Sequence, residues 1–338
     1  MDKLRELYGF EPPQQKGLNC VETAEGVIKG TVKAVFQLGG NLARSLPDHG
    51  PLVPAWRKLR LTVQILTKLN RSCLVHGEAS YILPCLGRIE IDEQASGPQA
   101  VSVEDSTACI HGSIGQAKPA SRHVRSEPWI VAALAKATLP PNPKVDWDGW
   151  AGNYARVRDA IERTYPEMFK DFNARMFQPG GFHRPLAARH REWKTESKKA
   201  NFIVPKDLVD NIDTDPAAAD VFQLTTIRSQ GQFNTTIYSD RDRFRGVAGT
   251  RMVLFMNERD IGRLALTEGD VVSLATAIDD GVHRRVDGFI VRSYDIPAGC
   301  LAAYYPECNP LVPVAHHAKG SFVPASKGVP VRLLAAAA

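Results

Sequence analysis

Short apolar runs separated by polar turns dominate the chain up to about residue 125. "TVKAVFQL" (Thr31–Leu38) and "LTVQILT" (Leu61–Thr67) have the continuous apolar character of buried strands, and "YILPC" (Tyr81–Cys85) ends a further extended run. "PLVPAWRKL" (Pro51–Leu59), between the first two, has helical spacing. Strand, helix and strand joined by short connections predict a parallel sheet in an α/β domain.

A helical period replaces this pattern from about residue 126. "EPWIVAALAKAT" and "YARVRDAIERTYPEMFKDFNARM" have apolar residues at helical spacing, and we expect these helices to cover the sheet. One face of the second segment is predicted to carry Tyr154, Val157, Ile161 and Tyr165. The segment "DNIDTDPAAAD", within irregular residues 201–220, has the composition of a linker.

From Val221 the chain consists of short β-rich runs with Gly or Pro turns between them. The runs are "VFQLTTIR", "RMVLFM", "DVVSLAT", "RRVDGFIVR" and "VPVRLL". Asn257 is a favourable N-cap for one short helix, "ERDIGRLAL". This pattern predicts a closed barrel. We therefore expect an α/β domain over residues 1–214 and a β-barrel domain over residues 215–338.

Composition narrows the function classes. The apolar runs are shorter than the roughly 20 residues of a membrane helix, and the acidic N-terminal segment does not resemble a signal peptide. A net charge of +5 without a basic block does not favour nucleic-acid binding. The six cysteines have no CxxC spacing, which favours a reducing cytoplasm and argues against structural zinc or an iron–sulfur cluster in this chain.

Residues with obvious reactivity are sparse, so the catalytic residues stay unknown. None of the patterns GxSxG, HExxH, GxGxxG or the Walker A loop is present. Adjacent His316 and His317 usually point in different directions, and Cys308 in "PECNP" has no base beside it in the sequence. We predict no metal site and interpret these three residues as structural.

Hydrogen-bond donors are more informative. Gly39, Gly40 and Asn41 follow a predicted parallel strand, where ligands bind in open α/β sheets, although a plain tight turn needs the same residues. The clamp segment, Thr226–Ile237 ("TIRSQGQFNTTI"), combines Arg228 with several amides and hydroxyls. An arginine can pair with phosphate through two parallel hydrogen bonds. Together these residues indicate a large, polar, anionic ligand.

Longer stretches resemble a known family. They are "AVFQLGGNLARSLPD", "TKLNRSCLVHGEASYILPCLGRIEIDEQASGPQAVSVEDS", "FNARMFQPGGFHRP", "VLFMNERDIGRLALTEGDVVSL" and "AAYYPECNPLVPVAHHAKGSFVPASKGVPVRL", with the clamp segment. The chain resembles the C-terminal part of molybdopterin oxidoreductases, specifically formate-dehydrogenase-like alpha subunits.

This resemblance implies a molybdenum bis-molybdopterin guanine dinucleotide cofactor and a six-stranded double-psi β-barrel that closes over it. It also implies the cofactor-binding residues, which are Gly39, Gly40, Asn41, Asn70, Arg228, Ser229, Gln232, Asn234, Thr235, Asn309 and Lys327. Asn70 is the weaker candidate among those of the α/β domain.

The resemblance further implies that an N-terminal half, with the iron–sulfur cluster and the catalytic groups, is absent from this chain. The chain would then be truncated or split, and its partner a separate N-terminal half or an electron-transfer subunit. Two alternatives stay open: a non-catalytic cofactor-binding module or remnant, and a barrel that acts alone as a small enzyme.

Overall fold

The computed structural model describes residues 2–202 and 220–335. They divide into two units. The helix-rich unit comprises residues 2–16, 65–68 and 83–202, and the barrel unit comprises residues 17–64, 69–82 and 220–335. The predicted linker and the boundary between residues 214 and 215 lie outside the described residues. The two-domain division at that point therefore stays a prediction.

The α-helices are α1 (Asp2–Tyr8), α2 (Cys20–Ile28), α3 (Leu42–Ser45), α4 (His49–Trp56), α5 (Arg71–Leu74), α6 (Glu127–Thr138), α7 (Trp147–Gly152), α8 (Tyr154–Thr164), α9 (Pro166–Phe169), α10 (Phe172–Arg175) and α11 (Glu258–Arg263). The strands are β1 (Ala34–Leu38), β2 (Leu61–Leu66), β3 (Ala79–Pro84), β4 (Glu93–Gln94), β5 (Gly97–Pro98), β6 (Ala100–Glu104), β7 (Cys109–Ile114), β8 (Phe182–His183), β9 (Val221–Ile227), β10 (Gln232–Phe233), β11 (Thr236–Ile237), β12 (Val253–Met256), β13 (Val271–Thr276), β14 (Arg285–Ser293), β15 (Cys300–Tyr304) and β16 (Val329–Ala335). Short 3-10 helices span Ala187–His190 and Asn309–Leu311.

The predicted parallel sheet is present in the order β1-β2-β3. Its strands start side by side, because Arg60 N donates to Lys33 O at 2.9 Å and Ala79 N donates to Arg60 O at 3.3 Å. Helices α2 and α4 bury one side of β1 in a core that contains Val35 and Trp56. The other side of β1 leaves Phe36 and Leu38 exposed.

The second half of the barrel unit confirms the predicted six-stranded barrel. It closes in the order β12-β14-β13-β16-β9-β15, with parallel pairing between β12 and β14 and between β9 and β15. Leucine, valine and phenylalanine side chains fill its interior, and Phe222 and Phe289 are among them. The apolar pattern identified five strands and missed β15, because "CLAAY" is short and rich in alanine. Helix α11 starts after Asn257 as predicted, and the Asn257 side chain accepts from Arg259 N at 2.9 Å.

In the helix-rich unit, one predicted helix differs from the structure. The segment from Tyr154 to Met176 is broken into α8, α9 and α10, and Tyr165 on its predicted buried face is 52% exposed. Pro166 has no N–H for a continuing helix, and it moves Tyr165 to φ −134° and ψ 64°. Asp171 then takes the left-handed conformation at φ 54°. A prediction that treated the segment as one helix was therefore wrong.

An antiparallel sheet in the order β6-β7-β8 was not predicted. Phe172 and Met176 pack on it with Ile110 and Phe182, so helices predicted to cover the parallel sheet form a core with this second sheet. Within residues 2–202 and 220–335, the helices are too short or too polar to cross a membrane.

Candidate anion-binding site

The ends of β1 and β2 form the first part of the site. Gly39 has φ 72°, a left-handed conformation that favours glycine, and turns the chain into α3. The Asn41 side chain accepts from Ser72 N at 3.2 Å and from Ser72 Oγ at 3.1 Å. Asn70 caps α5 by accepting from Ser72 N at 2.9 Å, and it donates to Gly40 O at 2.8 Å. The two loops are thus held together by side-chain amides, and the prediction that they bind a ligand stays a prediction.

The clamp segment joins this edge within the barrel unit. Asn41 Nδ2 donates to Thr235 Oγ1 at 3.1 Å, so two residues predicted on separate grounds are in direct contact. Asn234 stands next to Thr235 with φ 51° and is exposed. Arg228 is also exposed, whereas Ser229 and Gln232 are 7% exposed each. The structure therefore brings the glycine loop and the clamp segment together.

Several predicted donors are occupied inside the protein. Gln232 Nε2 donates to Asn234 O at 2.8 Å and also to Tyr305 O, and Gln232 Oε1 accepts from Ser229 N at 3.0 Å. Asn309, 2% exposed, donates to Arg44 O at 2.9 Å and to Leu46 O at 2.8 Å. These side chains fix the backbone around the site.

Positive charge without matching acids is the main electrostatic feature. Among the described residues, Arg44, Arg71 and Arg228 form no ion pair with a carboxylate, and Lys327 Nζ donates to the Thr226 carbonyl. Burial lowers the pKa of Lys327, and the charge of Arg228 lowers it further. Burial likewise lowers the pKa of Arg44, and the nearby charge of Arg71 adds to this effect although Glu307 opposes it.

The pKa values of Tyr305 and His49 are affected by the same positive charges. Burial raises the pKa of Tyr305 to about 12, and the charges of Arg228 and Arg44 act against that rise. Burial and the charges of Arg44 and Arg71 lower the pKa of His49 to about 4. Three cations, Arg44, Arg71 and Arg228, thus influence the pKa values of neighbouring groups, and Arg44 influences both Tyr305 and His49. Arg71 and Arg228 are exposed and available to a ligand, and perturbed pKa values of this kind are typical of functional sites.

Arg44 and Arg71 were missed by the sequence predictions. A signal for them exists in hindsight, because "GGNLARS" and "LNRS" both place Asn, Arg and Ser within a few residues of a predicted strand end. Only the fold shows that the two loops are neighbours. Among residues 2–202 and 220–335, no group of three His, Cys, Asp or Glu side chains is arranged to hold a metal ion. Burial raises the pKa of Cys308, which keeps its thiol protonated.

Comparison with solved structures defines the class of fold. The chain is similar to acetylene hydratase from Pelobacter acetylenicus, with a TM-score of 0.61 and 13% sequence identity over 99% of this chain and 49% of that one. At this identity the likeness shows a shared fold. No family model matches the chain.

Particular relatives are closer in sequence. Protein YdeP of Escherichia coli O6:H1 is 41% identical over 337 residues, which is 98% of this chain and 44% of the relative. The uncharacterized oxidoreductase Rv2900c of Mycobacterium tuberculosis is 42% identical over 332 residues, which is 96% of this chain and 42% of the relative. The chain spans less than half the length of the curated relatives it matches.

Proposed function

We propose that this chain is the C-terminal half of a molybdopterin-dependent oxidoreductase of the formate-dehydrogenase-like type, and that it binds molybdopterin guanine dinucleotide. The observation that carries the proposal is the cluster of Arg44, Arg71, Arg228 and Lys327 around the glycine loop and the clamp segment. Arg44, Arg71 and Arg228 form no ion pair with a described carboxylate, which fits a ligand with several negative charges, and a dinucleotide contributes a diphosphate.

The residues of the site fit a dinucleotide that carries a diphosphate. Arg44, Arg71 and Arg228 would pair with the diphosphate, and the turn at Gly39 and Gly40 would admit it close to the backbone. Asn41 and Thr235 would hold the polar part of the ligand from the two loops that they join. When bound, the cofactor supplies two-electron redox chemistry at molybdenum, and the role of this chain is to bind and orient it.

The comparisons support the oxidoreductase part of this proposal. Rv2900c is named an uncharacterized oxidoreductase, and the fold is shared over nearly the whole chain with acetylene hydratase. We propose that the remaining length of the relatives corresponds to the half that carries the iron–sulfur cluster, the metal ligand and the catalytic groups. Substrate choice would then be decided there. A cytoplasmic location stays a prediction from the cysteine usage.

The exposed side of the parallel sheet supports a covering partner. Phe36, Leu38 and Tyr81 are 54%, 54% and 60% exposed, although parallel sheets are usually covered on both faces. An apolar surface of this kind is typical of an interface. We propose that the other half of the enzyme, or a second subunit, covers it.

Molybdenum and pterin analysis tests the proposal. The chain is purified alone and together with the missing portion of a relative, from cells that make the cofactor. We expect about one molybdenum and two guanine nucleotides per folded complex, and little of either in the chain alone. A chain that purifies as a monodisperse monomer with full molybdenum would contradict the split arrangement. A complex without pterin would contradict cofactor binding.

A further inference from the structure

We propose that Arg251, held by Glu307, is the positioning residue of the clamp segment: it fixes the segment so that Arg228 faces the anion. Arg251 precedes β12 and was not among the predicted site residues. The nature of the anion rests on the proposed function, whereas the positioning role rests on contacts within the barrel unit.

The contacts of Arg251 are numerous and directional. Its Nε donates to Glu307 Oε1 at 2.9 Å and its Nη2 donates to Glu307 Oε2 at 3.1 Å, which makes a bidentate pair. On the other side, Nη1 donates to Ser229 Oγ at 2.7 Å and Nη2 donates to Gln232 Oε1 at 2.8 Å. Both partners of the ion pair are 12% exposed.

Two further contacts lock the guanidinium in place. Nη2 donates to Tyr305 O at 3.0 Å, and the guanidinium carbon lies 4.7 Å from the centre of the Tyr304 ring. One planar group therefore joins the clamp segment to the segment that follows β15. Since these bonds use most of its N–H groups, Arg251 has little capacity left for a ligand. It acts through the residues that it holds.

Arg228 is the residue through which it acts. Ser229, the next residue, accepts a hydrogen bond from Arg251 at its Oγ and donates one from its backbone N to Gln232 Oε1. The Arg228 side chain itself has no carboxylate partner among the described residues. Fixing the backbone at Ser229 limits where the Arg228 guanidinium can go. A preorganised cation binds an anion more tightly than a mobile one, because less conformational entropy is lost on binding.

Glu307 is the carboxylate that holds Arg251 in place. It also lies near Arg44, whose pKa it raises against the dominant effect of burial. Its bidentate pairing with Arg251 keeps the carboxylate engaged, so that the anion does not compete with a free acid for Arg44. Lysine cannot reproduce these contacts, since an ammonium group has no planar fork to span three segments.

The test is a double-mutant cycle on the full chain, with inorganic pyrophosphate as the probe. Calorimetry measures pyrophosphate affinity for the wild type, Arg251→Lys, Arg228→Ala and the double variant. We expect Arg251→Lys to weaken binding about tenfold in the wild type and less than about twofold in the Arg228→Ala background, because coupled residues are not additive. Equal losses in both backgrounds, or no loss in the wild type, would overturn the positioning role.

A matched control separates positioning from stability. Arg263 pairs with Asp260 at 3.2 Å and lies 5.3 Å from the Phe222 ring, at the opposite end of β9 from the clamp segment. Arg263→Lys makes the same substitution in the same unit outside the Arg251 network and should leave pyrophosphate affinity unchanged. Glu307→Gln, which keeps an oxygen acceptor, should retain more affinity than Arg251→Lys. The opposite order would contradict the proposed contacts.

Amide hydrogen exchange decides the matter without a ligand. In Arg251→Lys the amides of residues 229–235 should exchange at least about tenfold faster, whereas Arg263→Lys should leave them unchanged. If the wild type fails to bind pyrophosphate but this exchange result holds, the proposed function fails and the positioning role stands. Unchanged exchange at residues 229–235 in Arg251→Lys would refute the inference.

Discussion

Replacing Arg44 with methionine should stabilise the protein while it weakens anion binding. Arg44 is half-buried, it forms no ion pair with a described carboxylate, and its pKa is lowered by burial and by Arg71 although Glu307 opposes this. A lowered pKa means that folding disfavours the charged form of the side chain. Methionine keeps the apolar stem and removes the charge.

The structure sets both magnitudes. Removing a half-buried cation without an ion-pair partner should raise the free energy of unfolding by about 0.5–1 kcal/mol, or roughly 1–4 °C in Tm. Losing a charge-assisted pair with a phosphate should weaken binding by about 1.5–3 kcal/mol, or roughly 10- to 150-fold. The backbone contact from Asn309 to Arg44 O is not affected by the substitution.

Differential scanning fluorimetry and pyrophosphate titration of one preparation measure both effects. Arg57→Met is the control, because Arg57 is an exposed arginine of the same unit at the end of α4. It should leave Tm and affinity within error of the wild type. If Arg44→Met lowers Tm and keeps full affinity, Arg44 is a structural residue and the cationic cluster has been misinterpreted.

Three further predictions concern the same unit. Arg228→Ala should weaken pyrophosphate binding by about 1–2 kcal/mol at unchanged Tm, with partial rescue by lysine, and a fall in Tm at constant affinity would contradict the ligand role. His49 has a folded pKa of about 4 against an ordinary 6.5, so the unfolded chain takes up the proton first. The contribution of His49 to stability should fall by about 2–3 kcal/mol between pH 6.5 and 4 and stay constant below, so the difference between wild type and His49→Gln in urea unfolding should change by that amount over this range. Asn309→Ala leaves two carbonyls without their donor and should cost about 2–4 kcal/mol in urea unfolding, so a loss under 1 kcal/mol would count against this contact.

Much of the fold could be predicted because apolar periodicity is a local property. The strands around Val35 and Val63 and the helix after Ser126 follow directly from their own residues. The break at Pro166 was also visible in the sequence and was given too little weight. The β6-β7-β8 sheet could not be predicted in this way, since its last strand comes from a distant segment with only two paired residues.

The candidate site was predicted in its loops and in part of its positive charge, because Arg228 and Lys327 were identified while Arg44 and Arg71 were missed. Gly39, Asn41 and Thr235 were identified from local composition, and the structure places Asn41 and Thr235 in contact. Arg44 and Arg71 belong to different loops and Arg251 to a third segment, so their roles depend on which chain segments the fold brings together. A sequence shows the number of arginines, whereas only the fold shows which of them are left without an acid.

Binding of guanosine diphosphate to the purified chain tests cofactor recognition most directly. This nucleotide carries the guanosine and diphosphate of the proposed cofactor, and titration calorimetry gives its affinity and stoichiometry. We expect saturable binding that pyrophosphate displaces and that Arg44→Met and Arg228→Ala together reduce by at least about 100-fold. Absence of binding at millimolar nucleotide, or binding that survives both substitutions, would contradict the assignment of this surface to a guanine dinucleotide.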